Sequence, residues 1–179
     1  MKVALVCDDL IQHGGHEKVI LDICRLFPEA PLYTTMATKK WREKCVQEGI
    51  ELKTSFMQKL PFKKKLNRFY APFLFYVVAL ENFDFTQYDL VISMSSRFAH
   101  GVITKPQTKH ICYMSTVGRM FWEPDTYFEH EGFKGFKWLA KLFLSFPLMH
   151  LRLWDKVACS RPDYFITNSK TSQDRIKKY

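Results

Sequence analysis

The stretch from Val3 to Phe27, VALVCDDLIQHGGHEKVILDICRLF, constrains the fold of this chain more than any other. Val3 to Cys7 is a short, almost wholly apolar run, the pattern of a strand buried on both faces of a parallel sheet. Gly14 and Gly15 follow, where the backbone can take conformations closed to residues with a Cβ. Behind them Val19, Ile20, Ile23, Leu26 and Phe27 recur at helical spacing. The amides of such a turn and of the first helical turn point outwards as an anion site. The loop has neither the G-x-G-x-x-G spacing of a dinucleotide fold nor the G-K-[ST] ending of a P-loop, so a phosphate or sugar site and a plain tight connection both stand.

The same alternation continues down the chain. Pro28 ends the first helix, Pro31 to Thr35 (PLYTT) reads as a second strand, a helix is expected over Lys39 to Gln47 with Gly49 closing it, and Ile50 to Thr54 (IELKT) alternates as a third strand should. Tyr88 to Ser93, Thr108 to Tyr113 and Tyr164 to Asn168 supply further strands, and Ser169 can cap a terminal helix from Lys170. The expected class is α/β: a Rossmann-like, doubly wound, mainly parallel sheet. A length of 179 residues fits one domain, long enough to bury a real core.

Charge and aromatic content narrow the partners. The formal net charge is +9, most of it in two blocks. One is Lys59 to Arg68 (KLPFKKKLNR), with Lys63, Lys64, Lys65 and Arg68; the other runs from Lys134 to Arg161, where six Lys/Arg face the single acid Asp155. Such a surplus favours an acidic partner: nucleic acid, an anionic membrane or a phosphorylated substrate. No recognised nucleic-acid motif accompanies the basic residues, which argues against nucleic acid. The first block abuts FYAPFLFYVVAL, and a long helical region from Phe133 to about Ser160, broken or kinked at Pro147, sets Lys134, Lys137 and Lys141 beside Phe136, Leu139 and Phe143. Both regions suit either a core helix with a solvated stripe or contact with a membrane interface. Phe69 to Leu80 is too short to span a bilayer.

Five cysteines are an odd, scattered set, read as small buried hydrophobes in a reducing compartment. No pair has C-x-x-C spacing, which argues against a zinc site, so no metal is expected. The N-terminus enters the first strand directly after Lys2 with no signal-peptide pattern, which points to the cytoplasm. The basic and aromatic blocks add the expectation of a peripheral position on the inner face of the cell membrane.

Two loops at the carboxyl ends of strands, where ligands bind in such sheets, carry candidate chemistry. Ser95 and Ser96 follow one strand, with helix capping as their ordinary alternative. Thr108 to Tyr113 empties into MSTVGRMFWEPDTYF. There Arg119 could fork onto a phosphate or pair with Glu123, and Trp122 could stack on a sugar or simply be buried.

Four segments occur in one order: HGGHEKV (His13 to Val19), YDLVISMSSRFAHGV (Tyr88 to Val102), HICYMSTVGRMFW (His110 to Trp122) and the closing DYFITNSKTSQDRIKKY. Together they closely resemble the N-terminal half of glycosyltransferase family 4, retaining enzymes of the GT-B type that use sugar nucleotides. The resemblance covers essentially the whole chain. It implies an acceptor-binding domain that faces, across a cleft, a C-terminal donor-binding domain not included in this sequence, and the abrupt end at Tyr179 fits that expectation. Gly14 and Gly15 would border the donor phosphates, with Glu17 just behind them, while Ser95, Ser96, Arg119 and Trp122 would serve the acceptor. The family's loop C-Y-x-H-T-P-x-R-x-x-W-D falls on Cys112 to Glu123, where Cys112, Tyr113, Thr116, Arg119 and Trp122 match. Ser115 stands at the histidine position, Val117 at the proline and Glu123 at the aspartate. A serine can donate a hydrogen bond but does not titrate near neutral pH as imidazole does, so a diverged enzyme and a chain selected for something other than catalysis both fit.

The function expected from the resemblance is therefore the acceptor half of a glycosyltransferase acting on a saccharide or lipid-linked acceptor, with little activity alone. No cofactor is expected within this chain, the sugar nucleotide being the donor of the complete enzyme. The alternative is a non-catalytic peripheral membrane module built on the basic and aromatic surfaces.

Overall fold

The computed structural model describes residues 1–12, 14–61, 67, 70–124 and 137–179, with side chains in the last stretch from Phe143 onward. Six strands form one sheet: β1 (Val3–Cys7), β2 (Leu32–Thr34), β3 (Leu52–Thr54), β4 (Leu90–Ser95), β5 (Lys109–Met114) and β6 (Tyr164–Ile166). All pairings are parallel and the spatial order is β3-β2-β1-β4-β5-β6. This is the Rossmann-like arrangement expected from the alternation of strands and helices.

Each strand feeds both faces because successive side chains point to opposite sides. In β1, Ala4 and Val6 join one core with Tyr33, Tyr76, Phe85, Phe98 and Phe121, while Leu5 and Cys7 join the other with Ile20, Leu32, Trp41 and Met94. Burying an aromatic such as Trp41 or Phe98 contributes about 1.5–3 kcal/mol. Helices α1 (Gly15–Leu26) and α2 (Lys39–Gln47) cover the second core; α3 (Phe75–Glu81), the short α4 (Arg119–Trp122) and α5 (Lys137–Ala158) cover the first. A smaller cluster of Cys112, Met114 and Val117 is closed by Phe165, Ile176 and Tyr179, the last two brought by α6 (Lys170–Lys178) and its end.

Local signals explain most of the boundaries. Thr38 caps α2 by accepting from the Trp41 amide, and Gly49, at φ 70°, turns the chain out of it. Ser169 caps α6 by accepting from Ser172 N at 3.1 Å. The helix α5 runs through Pro147 from Lys137 to Ala158 without ending, so of the break or kink expected there the break does not occur. Proline removes one donor, and packing of Leu148 and Leu151 on the sheet holds the helix together across that gap. No helix among the described residues is long and apolar enough to cross a membrane.

Candidate functional site at the carboxyl edge of the sheet

The strand order reverses between β1 and β4, which are neighbours in space, and a crevice for ligands is expected at their carboxyl ends. Here a side chain of the protein itself occupies part of that position. Asp8, just beyond β1, is buried and its carboxylate accepts from the main-chain amides of Ser96, Arg97, Phe98 and Ala99 at 2.6–2.9 Å, and from the Ser96 hydroxyl at 2.8 Å. Burial alone would raise the Asp8 carboxyl, but the Arg97 guanidinium, His16 and these amides outweigh it and hold it below the usual range. Asp9, also buried, is paired with Arg97 and accepts from Tyr76 Oη at 2.7 Å; there burial dominates and pushes the carboxyl up. The amides that follow β4 are thus consumed internally and do not face a ligand.

The amides of the glycine turn are spent differently. Gly14 precedes α1 in an extended conformation, no side chain caps the helix, and Gly14 and Gly15 are both exposed. A Cβ on Gly14 would sit 3.2 Å from Glu17 Oε2, so the Glu17 carboxylate lies against the turn, beside the helix's own positive end. Both ring nitrogens of His16 are buried without a hydrogen-bond partner. His16 lies within the HGGHEKV segment, yet helical periodicity gave no reason to single it out.

Beyond β5, the Ser115 amide donates to Ser95 O at 3.0 Å, and the Ser115 carbonyl accepts from Ser172 Oγ at 2.8 Å, tying the loop to α6. Gly118 lets Phe121 fold over it: a Cβ there would meet the Phe121 ring at 2.0 Å. Arg119 is exposed, and its side chain pairs with no described residue, since Glu123 is engaged by Arg175. Trp122 is half-buried, stacks on Tyr179 at 4.6 Å and donates from Nε1 to Asp155 Oδ2 at 2.7 Å. Of the two serines after β4, Ser96 is spent on Asp8, and Ser95 is fully buried with its hydroxyl 3.1 Å from His100 Nδ1.

The Ser95 contact leads to a cluster that sequence spacing gave no sign of. His100, in the 3-10 turn Ala99–Gly101, Asp155 and Cys159 converge so that one ligand-type atom from each lies within 4.8 Å of the others. His100 Nε2 is 3.1 Å from Asp155 Oδ1. Burial opposes charge on this imidazole, but Asp155 and Cys159 lift it from 6.5 to about 9. These three residues are the described group that could hold a metal ion.

The geometry gathers the glycine turn, Ser95, Ser96, Ser115, Arg119 and Trp122 at the carboxyl ends of β1, β4 and β5. Lys63, Lys64, Lys65, Arg68 and Lys134 lie outside the described residues, and of Lys137 and Lys141 only the backbone, within α5, is described. An open groove of about 570 Å³ lies at the opposite, amino edge, between Lys2, Leu26, Pro31, Glu51 and Tyr88, remote from these loops. The chain matches no protein-family model, no curated protein and no solved structure.

Proposed function

We propose that this chain is the acceptor-binding half of a retaining glycosyltransferase, which moves a sugar from a sugar nucleotide to a saccharide or lipid-linked acceptor. The observation that carries the reading is two anion-suited groups exposed at the carboxyl edge of the sheet, the glycine turn with Glu17 beside it and Arg119. There the start of α1 has no side-chain cap, and the Arg119 guanidinium is exposed without a described partner. A helix N-terminus and a forked guanidinium are both suited to phosphate or carboxylate groups. They are the residues to which the sequence resemblance assigns the donor phosphates and the acceptor. Reaction would need a second domain to close the cleft, because one wall cannot hold both partners in line or exclude water.

The test is glycan and lipid-linked saccharide binding by the 179-residue chain, together with an assay of sugar transfer. Acceptor binding weakened by roughly 10-fold in Arg119→Ala, with little turnover by the chain alone, is expected. Robust turnover without a second domain, or no acceptor binding at all, overturns the assignment.

One observation favours a second reading, a membrane-surface module. Phe143, Phe146, Met149, Leu153 and Val157 recur along one side of α5 and are each 44–74% exposed. Large outward apolar side chains at helical spacing suit burial in a lipid interface. The two readings are compatible, since a lipid-anchored acceptor brings its enzyme to the bilayer.

A further inference from the structure

The cluster of His100, Asp155 and Cys159 offers one imidazole nitrogen, one carboxylate oxygen and one sulfur to a single point. His100 and Asp155 are buried and Cys159 is half-buried, so the point is shielded on most sides. An ion pair between His100 and Asp155 is the simplest alternative. It would align the ring N–H with the carboxylate, yet Nε2 makes no hydrogen bond of good geometry although Asp155 Oδ1 is only 3.1 Å away. An ion pair also gives no reason for a thiol to lie within 4.8 Å of both groups.

The surroundings of His100 and Asp155 match those of metal ligands. A metal-binding histidine uses its other ring nitrogen for a hydrogen bond that fixes the ring, and a ligating carboxylate is itself hydrogen-bonded. Here His100 Nδ1 lies 3.1 Å from Ser95 Oγ, and Asp155 Oδ2 accepts from Trp122 Nε1 at 2.7 Å. The spacing is held by tight packing: a Cβ on Gly101 would fall 2.2 Å from the Trp154 ring and 3.3 Å from the Ala158 methyl, so α5 rests directly on the turn that carries His100. A nitrogen–oxygen separation of 3.1 Å suits neighbouring ligands on a tetrahedral ion with bonds of about 2.0–2.2 Å.

The geometry points to a divalent transition-metal site at His100 Nε2, Asp155 Oδ1 and Cys159 Sγ, which takes Zn²⁺ and joins α5 to the turn after β4. Mixed nitrogen, oxygen and sulfur ligands select zinc over magnesium or calcium, which prefer oxygen alone. Three protein ligands leave a fourth position for water or a ligand atom. On binding, Cys159 gives up its thiol proton and His100 its Nε2 proton, both to solvent, and the remaining ring proton stays on Nδ1 toward Ser95. The site is independent of the glycosyltransferase reading, and it departs from the expectation drawn from cysteine spacing, because its ligands come from segments 55 residues apart that only the fold unites.

The metal-stripped intact chain is titrated with Co²⁺ alone, followed by competition with Zn²⁺. A thiolate-to-cobalt charge-transfer band in the near ultraviolet and the visible bands of a four-coordinate ion are expected, both lost on adding Zn²⁺. The half-exposed position of Cys159 allows Cys159→Ser to fold, as circular dichroism would verify, and this variant is expected to lose the charge-transfer band and to bind Zn²⁺ at least about 10-fold more weakly. Absence of the band in the unmodified chain at excess Co²⁺, or its persistence in folded Cys159→Ser, overturns the site.

Discussion

Ser96 donates both its main-chain N–H and its hydroxyl to Asp8 Oδ2, each at 2.8 Å, and so locks the loop after β4 to the end of β1. With the amides of Arg97, Phe98 and Ala99 also directed at Asp8, this carboxylate acts as the anion of its own crevice. Replacing Asp8 by alanine leaves buried donors without an acceptor and is expected to destabilise the chain by roughly 3 kcal/mol or more, read as a lower urea midpoint. The folded carboxyl titrates below its unfolded value, so its contribution is present above the unfolded pKa and is lost as pH falls through the folded one. Asp8→Ala is therefore also expected to flatten the acid limb of the stability profile; an unchanged midpoint and limb would refute this role.

His110 carries the opposite kind of burden. It is fully buried on β5, 2.8 Å from Ser93 Oγ, and burial, helped by His100 and Arg161 against Asp163, lowers it from 6.5 to about 4. A base harder to protonate when folded keeps its full contribution above the unfolded pKa and loses it as pH falls toward the folded one. Stability on the order of 3 kcal/mol is expected to disappear between about pH 6.5 and pH 4 from this group. The stability difference between those two pH values, measured by denaturant unfolding, should shrink in His110→Gln; an equal difference in the variant rules the histidine out as its source.

Gly118 is occupied by its neighbour. Because a Cβ would fall 2.0 Å from the Phe121 ring, Gly118→Ala must displace that buried ring, which α4 carries between Arg119 and Trp122. A loss of about 1–3 kcal/mol is expected, with a change in tryptophan fluorescence as the stack on Tyr179 is disturbed. Native melting temperature and an unaltered spectrum would show that the loop absorbs the methyl elsewhere.

The outward side of α5 separates membrane contact from stability. Phe146→Asp with Leu153→Asp changes exposed positions, so each should alter folding by no more than about 0.5 kcal/mol. On the membrane reading, co-sedimentation with anionic vesicles falls sharply in this pair and is salt-sensitive in the parent chain. Equal recovery of parent and variant, or no preference of the parent for anionic over neutral vesicles, counts against a lipid-facing role.

Ser115 offers the most direct probe of chemistry. Its amide and carbonyl are held by Ser95 and Ser172, so a change of side chain leaves the loop anchored. On the glycosyltransferase reading, Ser115→His in a chain joined to a donor-binding domain is expected to raise the rate of sugar transfer by supplying a group that titrates near neutral pH. An unchanged rate would mean that this position does not touch the reacting sugar.

Element order and type were legible in the sequence because they depend on neighbours a few residues apart. An apolar run marked β1, and Gly49 marked the end of Lys39 to Gln47, whereas the Thr38 cap at its start emerged with the structure. Pro147 was legible only in part, since local chemistry allows a break or a kink there and long-range packing of Leu148 and Leu151 keeps the helix continuous. Among the site residues, the glycine turn, Arg119 and Trp122 stood out by composition, but their partners did not.

By itself, then, the sequence determined a parallel α/β sheet, a glycine turn before α1 and an Arg and Trp loop after β5, since hydrophobic period and turn chemistry are local properties. The tertiary structure alone decided that Asp8 fills the crevice, that Ser95 turns inward to His100, and that Trp122 holds Asp155 rather than an open face. Those contacts join residues tens of positions apart, and they exist only because the strand order sets β1 beside β4 while α5 packs across the turn that follows β4.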